Sequence, residues 1–432
     1  MIELTYIFHS CFILETEKCI LIFDYWMDPS DAMRRVFAKI GSKHIYVFAS
    51  HFHEDHFNRE ILKWRSEKPS ARFTYILSKD ILRHRRTGKE DADVWLAKGG
   101  VWKDGDIKVT ATGSNDSGVS WIVEVEGRKI FHAGDLCNWY ARFLTGNTPE
   151  KTIYSEESGI CVNPVTEEKR FLGELKDIRK ITGYFDIVMF PVDGRIGNGY
   201  TLGARQFIER FKVGLFVPMH FVMSGFESAW RMEPFCNEKD IPFWRIGNEG
   251  ESACISQNNL IIRQSTLEDI PQIQTIFTFA RKFMTETGNP NQWEANYPND
   301  ALLHEDIESG DSHVIQKDNG IVATFLLRDG VDQTYNIIYD GKWLNNAPYA
   351  TIHRIAGNGE VNGIFHLVMQ FALRHYSNIR IDTHRDNMVM QNAIKKEGFT
   401  YCGIIHCRDG SERLAYQYTK ESASRQFYVL NA

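Results

Sequence analysis

The 432-residue sequence lacks long apolar runs, closely spaced cysteine pairs and an excess of basic residues. No stretch approaches the roughly 18 apolar residues of a membrane-spanning helix, so we expect no membrane partner. The eight cysteines are scattered without a CxxC pair, which favours reduced thiols and a cytoplasmic protein over a disulfide scaffold. The formal net charge of −6 offers no general attraction to phosphate backbones, and we expect no nucleic-acid partner.

The length and the composition indicate a globular protein of two domains. A chain of 432 residues exceeds what one hydrophobic core usually holds, and 43% hydrophobic residues with 25% charged residues is a globular mixture. Turn-rich segments at residues 247–252 and 256–259 indicate a linker. We therefore predict one domain over residues 1–255, a second over residues 260–420, and a tail over residues 421–432.

The first domain alternates strand-like and helix-like segments, which predicts an α/β fold. The alternation begins at the first residues, where we predict a hairpin over residues 2–24 with a turn at Glu17-Lys18. From this pattern we expect no secretory signal peptide. The other predicted elements are strands at 45–49, 73–77, 121–125 and 186–190 and a helix at 202–211.

The segment Ser50-His51-Phe52-His53-Glu54-Asp55-His56 concentrates metal-binding side chains directly after a predicted buried strand. A strand that runs into a His-x-His loop places both imidazoles on one side of the chain, and Asp55 and His56 can then face a second ion. Imidazole and carboxylate groups suit zinc and its first-row neighbours. The alternative is a polar surface loop, because motif matches include false positives.

This segment resembles the His-x-His-x-Asp-His signature of the metallo-β-lactamase superfamily, and the expected partners follow in order. Phe131-His132-Ala133-Gly134-Asp135 resembles the strand-end Gly-Asp whose aspartate bridges two metals. Phe216-Val217-Pro218-Met219-His220 resembles the strand that ends in the last ligand histidine. Tyr6-Ile7-Phe8-His9-Ser10 and Leu21-Ile22-Phe23-Asp24 are similar to the opening of the lactonase-like branch. The resemblance covers residues 1–255 and implies an αββα sandwich of two mixed sheets.

The resemblance also implies two divalent metal ions in one pocket, zinc or alternatively manganese or iron. The implied ligands of the first ion are His51 and His53, those of the second are Asp55, His56 and His220, and Asp135 bridges the two. A hydroxide held by the ions would attack an ester, lactone or phosphodiester in a small-molecule substrate. Asp55 would orient this nucleophile or accept its proton.

One ligand of the superfamily pattern is missing. The superfamily usually supplies a third histidine to the first ion from a loop before the bridging aspartate, yet no histidine occurs between His84 and His132. In the equivalent loop Asp116 is the candidate replacement, and the neutral Asn115 is a weaker one. Alternatively, Asp116 organises a turn through its own side chain. A carboxylate ligand here would favour manganese or iron over zinc.

His9 and Asp193 are further candidates for the site, either in contact with substrate or in support of a ligand. His9 follows an apolar strand, so a hydrogen-bonded core histidine is the alternative interpretation. We expect Asp24 to hydrogen-bond the signature loop from beneath, because a ligating histidine generally needs a partner on its other ring nitrogen.

The second domain resembles the GNAT acetyltransferases, a mixed α/β fold, across residues 260–420. A predicted strand at residues 351–356 is followed by a glycine-bearing loop at 357–363 and by a helix. Backbone amides at such a helix start suit the pyrophosphate of coenzyme A. The resemblance implies acetyl-CoA as a cofactor, bound by Ile355, Ala356, Asn362, Gly363, Ile364 and Asn387.

This domain departs from the family pattern at two places. Glu360 stands where the pyrophosphate loop usually carries glutamine or arginine, and Ile394 replaces the tyrosine that often acts as general acid. Tyr416 or Tyr418 is an alternative acid, although strand tyrosines more often pack. His353 or Glu360 is the candidate base for attack of an amine on acetyl-CoA.

Three functional hypotheses remain open from the sequence. The first is a bifunctional enzyme, a metal-dependent hydrolase fused to an N-acetyltransferase. The second is a hydrolase with a non-catalytic C-terminal module that binds CoA or another small molecule. The third is a metal-poor scaffold without hydrolysis. The sequence leaves the oligomeric state open.

Overall fold

The apolar segments of the sequence become strands and the amphipathic segments become helices in a computed structural model that describes residues 1–144, 153–155, 160–330 and 332–420. The chain divides into two units, Met1–Ile255 and a second that begins at Ser256. The predicted tail, residues 421–432, lies outside the described residues. Among the described residues, no helix is long and apolar enough to cross a membrane. All eight cysteines are free thiols, and a cytoplasmic location stays a prediction.

The first unit is built from strands that carry the metal motifs at their ends. Its strands are β1 (Ile2–Phe8), β2 (Cys11–Glu15), β3 (Cys19–Phe23), β4 (His44–Ala49), β5 (Arg72–Ser78), β6 (Val94–Leu96), β7 (Val101–Lys103), β8 (Ile107–Gly113), β9 (Val119–Val125), β10 (Arg128–His132), β11 (Ile153–Ser155), β12 (Ile160–Val162), β13 (Tyr184–Phe185), β14 (Ile187–Pro191), β15 (Lys212–Val213), β16 (Phe216–Met219) and β17 (Ser252–Ile255). Its helices are α1 (Ala32–Ala38), α2 (Trp64–Glu67), α3 (Lys79–Arg83), α4 (Pro164–Ile181), α5 (Leu202–Ile208), α6 (Phe226–Trp230) and α7 (Glu233–Glu238).

These strands form two mixed sheets. The first has the order β17-β1-β2-β3-β4-β5-β6, antiparallel as far as β3 and parallel from β3 to β6. The second has the order β16-β14-β10-β9-β8-β7, in which β10, β14 and β16 run parallel. Parallel neighbours bring their carboxyl ends to one edge, where loops can converge on a site.

The alternation of side chains along β4 shows how the layers stack. Ile45 and Val47 belong to the core beneath the helices of the first sheet. Phe48 points the other way and packs on Trp121 of the second sheet, with ring centroids 5.7 Å apart. Each sheet therefore packs one face on helices and the other on its partner sheet, which confirms the predicted αββα sandwich.

The opening segment differs from the predicted hairpin. Residues 2–24 form three strands instead of two, because the chain reverses at His9-Ser10 as well as at the predicted turn near Glu17-Lys18. His9 adopts a left-handed backbone with φ 55°, and its amide donates to the Tyr6 hydroxyl. The extra reversal uses a left-handed backbone at His9, which strand alternation does not reveal.

The second unit is a mixed α/β fold, as predicted, around a sheet with the order β18-β19-β20-β21-β22-β24-β23. Its strands are β18 (Ile261–Gln264), β19 (Ser312–Lys317), β20 (Gly320–Asp329), β21 (Ala350–Gly357), β22 (Asn378–Thr383), β23 (Thr400–His406) and β24 (Glu412–Thr419). Its helices are α8 (Ile270–Glu286), α9 (Asp300–Glu308), α10 (Ile364–His375) and α11 (Met388–Lys396). The predicted strand, glycine-bearing loop and helix are all present as β21, residues 358–363 and α10.

Because β19 contains a buried histidine, we expect the second unit to lose stability at acidic pH. His313 stacks on Phe325, meets the edge of Phe371 and donates through Nδ1 to the Asp311 carbonyl at 2.8 Å. Burial lowers the pKa of His313 to about 4. Because this pKa lies below the unfolded value near 6.5, the unfolded chain binds the proton more tightly. The stability contribution is therefore complete above about pH 6.5 and is lost as the pH falls towards 4.

We expect the free energy of unfolding to fall between pH 7 and pH 5 by about 2 kcal/mol more in the parent chain than in His313→Phe. Phenylalanine keeps the aromatic packing and removes the titrating group. Urea unfolding of the full chain at both pH values measures the difference. Equal losses in parent and variant would contradict the assignment.

Candidate metal centre and cofactor loop

The signature loop leaves the carboxyl end of β4 and closes into a single turn. The amides of His56 and Phe57 both donate to the His53 carbonyl, at 3.1 and 2.9 Å. This turn presents the side chains of His51, His53, Asp55 and His56 to one pocket.

Asp135 lies at the centre of the pocket, directly after β10. Its Oδ2 is 3.1 Å from His51 Nε2, and its Oδ1 is 2.9 Å from His56 Nε2 and 3.4 Å from His220 Nε2. One carboxylate therefore faces imidazoles through both of its oxygens. This is the arrangement that a bridging ligand between two ions requires.

Asp55 and His53 complete two neighbouring clusters. Asp55 Oδ2 lies 3.9 Å from the Nε2 atoms of both His56 and His220, and His53 Nδ1 lies 2.9 Å from His51 Nε2. The potential ligand atoms form two clusters, and within each cluster all atoms lie within 4.8 Å of one another. Asp55 belongs to both clusters. The first cluster is His51, His53 and Asp55, and the second cluster is His9, Asp55, His56 and His220.

Several of these atoms are buried and make no hydrogen bond. They are His56 Nε2, His220 Nε2 and Asp135 Oδ1. A buried polar atom without a partner is unfavourable, and close imidazole nitrogens and carboxylate oxygens are the usual ligands of zinc. The donor set and its unpaired atoms therefore fit divalent cations.

The opposite nitrogens of two ligand histidines are held by carboxylates. Asp24, which is fully buried, accepts from His56 Nδ1 at 2.7 Å and also from the Ser50 amide and hydroxyl at 2.7 and 2.6 Å. Burial acts to raise the pKa of Asp24, yet the neighbouring His132 and the hydrogen bond from His56 hold it below its ordinary value. Asp24 thus fixes the His56 tautomer with its Nε2 lone pair directed at the pocket, as the sequence predicted.

Asp193 holds His220 in the same way. Its Oδ2 accepts from His220 Nδ1 at 2.9 Å and from Arg195 Nη2 at 2.6 Å. Burial opposes ionisation, but hydrogen bonds from His220 and Arg195 lower the pKa of Asp193 to about 2. Asp193 was predicted either to contact substrate or to support a ligand residue. Its hydrogen bond to His220 agrees with the second role. Sequence reasoning missed Arg195, which carries no motif of its own.

His9 belongs to the second cluster. Its ring centroid is 3.9 Å from that of His220, and its Nε2 is 3.4 Å from Asp55 Oδ2. Both ring nitrogens are buried without a hydrogen bond, which removes the alternative of a hydrogen-bonded core histidine. Burial and the neighbouring His220 lower the pKa of His9 to about 4, so the ring is neutral near pH 7.

Left-handed backbone conformations recur at this centre. His9, Asp24 and His220 have φ values of 55°, 45° and 63°. Such angles are unfavourable for residues with a Cβ and concentrate at functional sites. The His220 amide donates to the His9 carbonyl at 3.0 Å, which ties two of these residues together.

Two glycines let the surrounding loops approach the signature loop. A Cβ on Gly118 would lie 2.1 Å from the Ser50 carbonyl oxygen, and one on Gly134 would lie 2.9 Å from Ser50 Cβ. Both glycines also have positive φ, 64° and 53°. The Gly-Asp of the sequence pattern therefore has a packing reason as well as a chemical one.

The loop with the missing histidine brings Asp116 to the first cluster. Asp116 is exposed, and a carboxylate oxygen lies within 4.8 Å of ligand atoms of His53 and Asp135. Asn115 is bound to the backbone of Cys137 through both ends of its amide, at 2.8 and 3.2 Å. The turn itself uses the Ser114 hydroxyl, which accepts from the Asp116 amide at 3.3 Å.

His132 lies inside the sandwich. Its Nε2 donates to the Ser10 carbonyl at 2.9 Å, its Nδ1 accepts from the Gly134 amide at 3.2 Å, and its ring stacks on Phe23. Both nitrogens are occupied by backbone groups. His132 therefore supports the loops around the centre and is not a ligand in this geometry.

In the second unit, β21 and β22 pair only as far as Ile352 and Ile381 and then diverge. β21 carries an irregularity in its pairing with β20, with Arg354 at φ 49° and bonded to Asp306 at 2.6 Å. Beyond it Gly363 is the N-cap of α10, and it has φ 77° and open space where a Cβ would lie.

The predicted cofactor residues follow this path. Ile355 and Ala356 lie in β21, Asn362 and Gly363 are exposed at the start of α10, and Ile364 is its first residue. Asn387 instead caps α11 by accepting from the Met390 amide at 3.0 Å, and it donates to Gln292 at 2.8 Å. Its contact with a cofactor stays a prediction.

The candidate base His353 lies where β21 and β22 diverge. Its Nε2 is 3.2 Å from Asp332 and its Nδ1 is 3.7 Å from Asp382, which accepts from the buried Tyr335 hydroxyl at 2.6 Å. Glu360 is exposed and accepts from Asn358 at 2.9 Å.

The two candidate acids are packed. Tyr416 and Tyr418 are buried, their rings contact Tyr401 and Phe399, and burial raises the pKa of both phenols. Ile394 is fully buried at the position of the usual acid. None of these three residues is placed as an accessible proton donor.

Comparisons with known proteins agree with the metal motifs. Residues 3–141 match the family model of the beta-lactamase superfamily domain. A metal-dependent hydrolase of Korarchaeum cryptofilum is 21% identical over 226 residues, which cover 51% of this chain and 83% of that protein.

Solved structures of two kinds match parts of the chain at low TM-scores. A metallo hydrolase from Ignicoccus hospitalis shares 17% identity, with 58% of this chain and 97% of that chain covered and a TM-score of 0.40. A GNAT-family acetyltransferase from Streptococcus agalactiae shares 33% identity, with 39% of this chain and 99% of that chain covered and a TM-score of 0.35. The matched residues 3–141 contain the signature loop and Asp135, and the unit is a two-sheet sandwich around them. The N-terminal unit therefore carries a metallo-β-lactamase superfamily domain.

Proposed function

We propose that the N-terminal unit is a metal-dependent hydrolase that acts on an ester, lactone or phosphodiester. The observation that carries the proposal is the convergence of buried, unpaired imidazole nitrogens on the carboxylate of Asp135, with Asp24 and Asp193 on the opposite nitrogens of His56 and His220. A polar surface loop would leave these groups in contact with solvent. The relative from Korarchaeum cryptofilum, whose name describes a metal-dependent hydrolase, supports the same activity.

Two divalent ions fit the ligand clusters. The proposed ligands of the first are His51, His53 and Asp116, those of the second are Asp55, His56 and His220, and Asp135 serves both. Zinc suits the histidine-rich set, while the oxygen of Asp116 makes manganese or iron an alternative. A metal-loaded crystal structure with Asp116 turned to solvent would remove it from the set.

Two divalent ions held by these residues would supply an activated water, because such ions lower the pKa of bound water towards neutrality. The chain's own residues orient the reaction around it. The proposed role of Asp55, whose side chain is 29% exposed, is to accept a proton at Oδ2, and His9 Nε2 lies 3.4 Å from that oxygen. Asp24 and Asp193 keep the ring protons of His56 and His220 on the side away from the pocket.

Metal removal tests this proposal. We expect dialysis of the full chain against a chelator to abolish hydrolysis of activated esters or of bis(p-nitrophenyl) phosphate. Addition of zinc or manganese should restore it with about two ions per chain. The measurement combines elemental analysis with the rate of p-nitrophenol release. Full activity in the stripped protein would refute the metal dependence. No activity after reloading, with fewer than one bound ion per chain, would favour the metal-poor scaffold instead.

For the second unit we propose binding of acetyl-CoA and transfer of the acetyl group to an amine. The supporting features are the exposed start of α10 at Asn362 and Gly363, where free backbone amides favour an anion, and the divergence of β21 from β22 beside His353. The alternative is a non-catalytic CoA-binding module, which the packed tyrosines and Ile394 favour.

A charge placed at the start of α10 tests the proposed cofactor site. We expect Asn362→Glu to weaken CoA binding roughly tenfold or more, because it sets a carboxylate against the pyrophosphate. Gln370→Glu, in the second half of the same helix, introduces the same charge away from the loop and should bind CoA normally. Isothermal titration with CoA measures both variants.

The same samples distinguish the two hypotheses for this unit. Acetyl-CoA consumption with a panel of primary amines supports a transferase. Saturable CoA binding without consumption supports the module. Equal affinity in Asn362→Glu and the parent chain would place the cofactor elsewhere.

A further inference from the structure

A second cluster of potential ligands lies at the opposite end of β4 from the metal centre. His44 begins this strand, and Asp104 and Asp106 lie in the turn between β7 and β8 of the other sheet. The seven residues from His44 to His51 correspond to roughly 23 Å of extended chain, so the two clusters are separate. None of the residues proposed for hydrolysis takes part in this one.

The ligand atoms of this cluster are close together. His44 Nδ1 lies 3.7 Å from Asp106 Oδ2 and 3.9 Å from Asp104 Oδ2. The Tyr46 hydroxyl donates to Asp104 Oδ2 at 2.6 Å and lies 3.5 Å from Asp106 Oδ2. Two ligands bound at about 2.1 Å to a tetrahedral ion lie about 3.4 Å apart, so a shift of a few tenths of an ångström would bring these atoms to an ion.

His44 is the observation that points to a ligand. The residue is only 4% exposed, its Nε2 is 2.8 Å from the Thr74 hydroxyl, and its Nδ1 makes no hydrogen bond. In the tautomer whose Nε2–H donates to Thr74, the Nδ1 lone pair faces two carboxylates that are themselves acceptors. Such a meeting of three acceptors is unfavourable unless a cation lies between them.

The protonation states agree with this interpretation. Burial and the nearby Arg72 lower the pKa of His44, which keeps the ring neutral and able to bind an ion. Burial acts to raise the pKa of Asp104, but hydrogen bonds from Tyr46 and from the Ile107 and Asp106 amides lower it overall. A neutral imidazole beside an ionised carboxylate is a ligand pair that divalent first-row ions prefer.

We propose that His44, Asp104 and Asp106 bind a single divalent cation, zinc or manganese, with water in the remaining positions. The side chains of Asp104 and Asp106 are 20% and 30% exposed, so solvent reaches the site. The ion would join β4 of the first sheet to the β7–β8 turn of the second. Its role is structural, since its ligands lie far from the proposed hydrolytic pocket.

Metal stoichiometry tests this site in the full-length protein. After equilibration with zinc chloride and removal of the excess, elemental analysis of the parent chain should give one ion more than that of Asp106→Asn. The variant should keep its hydrolytic rate and lose the part of the zinc-induced rise in Tm that this ion provides. Glu124→Gln is the matched control, since it removes an exposed carboxylate paired with Lys108 in β8 and β9 of the same unit.

A second variant guards against misfolding of the first. His44→Gln removes the imidazole and leaves both carboxylates, and it should also lose one ion, with unchanged circular dichroism. Cobalt substitution gives an independent readout, because loss of one nitrogen ligand lowers the visible absorption of the bound Co²⁺. Equal zinc stoichiometry in the parent chain, Asp106→Asn and His44→Gln would overturn the proposal.

Discussion

Asp135→Ala is expected to release the metal ions and to lower hydrolysis by roughly 1,000-fold or more. The reason is the position of this carboxylate between the two clusters, with Oδ2 facing His51 and Oδ1 facing His56 and His220. Its removal takes a ligand from both ions at once. It also takes the negative charge that holds three close imidazoles together.

Elemental analysis and the rate of p-nitrophenol release from the same sample measure this effect. CoA binding by the second unit serves as the internal control and should remain at the parent level. Full hydrolytic activity in Asp135→Ala would refute the proposed mechanism. Loss of CoA binding together with hydrolysis would mean that the two units do not fold independently.

Asp24→Asn is expected to weaken binding of the second ion by roughly 10–100-fold, although Asp24 touches no ion. The carboxylate accepts from His56 Nδ1 and thereby keeps the His56 Nε2 lone pair directed at the pocket. An asparagine amide in the same place donates to Nδ1 and drives the ring proton to Nε2. That proton would then point at Asp135 Oδ1, where an ion must bind.

Competition with a chromophoric chelator measures the affinities of the two ions in Asp24→Asn. Asp186→Asn is the matched control, because Asp186 is a half-buried carboxylate of the same unit that accepts from the Lys129 amide and lies outside the centre. Circular dichroism shows whether each variant folds. Parent-level affinity for both ions in folded Asp24→Asn would mean that the His56 tautomer does not depend on Asp24.

The residues proposed as ligands could be located from sequence because each closely follows a strand. The signature loop follows β4, Asp135 follows β10 and His220 follows β16, and strand ends are the segments that local apolar patterns identify best. The order of the motifs along the chain then allowed the candidate ligands to be assigned to one site. The αββα layers were expected from the same resemblance.

The supporting residues were less accessible to sequence reasoning. The position of Asp193 behind His220 and the bond from Arg195 depend on the packing of a loop, and the reversal at His9 depends on contacts with Tyr6 and His220. Such long-range contacts leave no periodicity in the chain. Asn387 shows a further limit, since the structure makes it the cap of α11 and its predicted role towards a cofactor stays a prediction.

The left-handed backbones of His9, Asp24 and His220 set a limit on how stable this fold can be. Each such residue costs on the order of 1 kcal/mol relative to glycine at the same angles. Glycine at any of them would relax the chain and delete a side chain that the centre uses. Selection for thermal stability alone would therefore favour glycine at these positions and yield a more stable but inactive protein. Only selection for hydrolytic activity would keep these three residues.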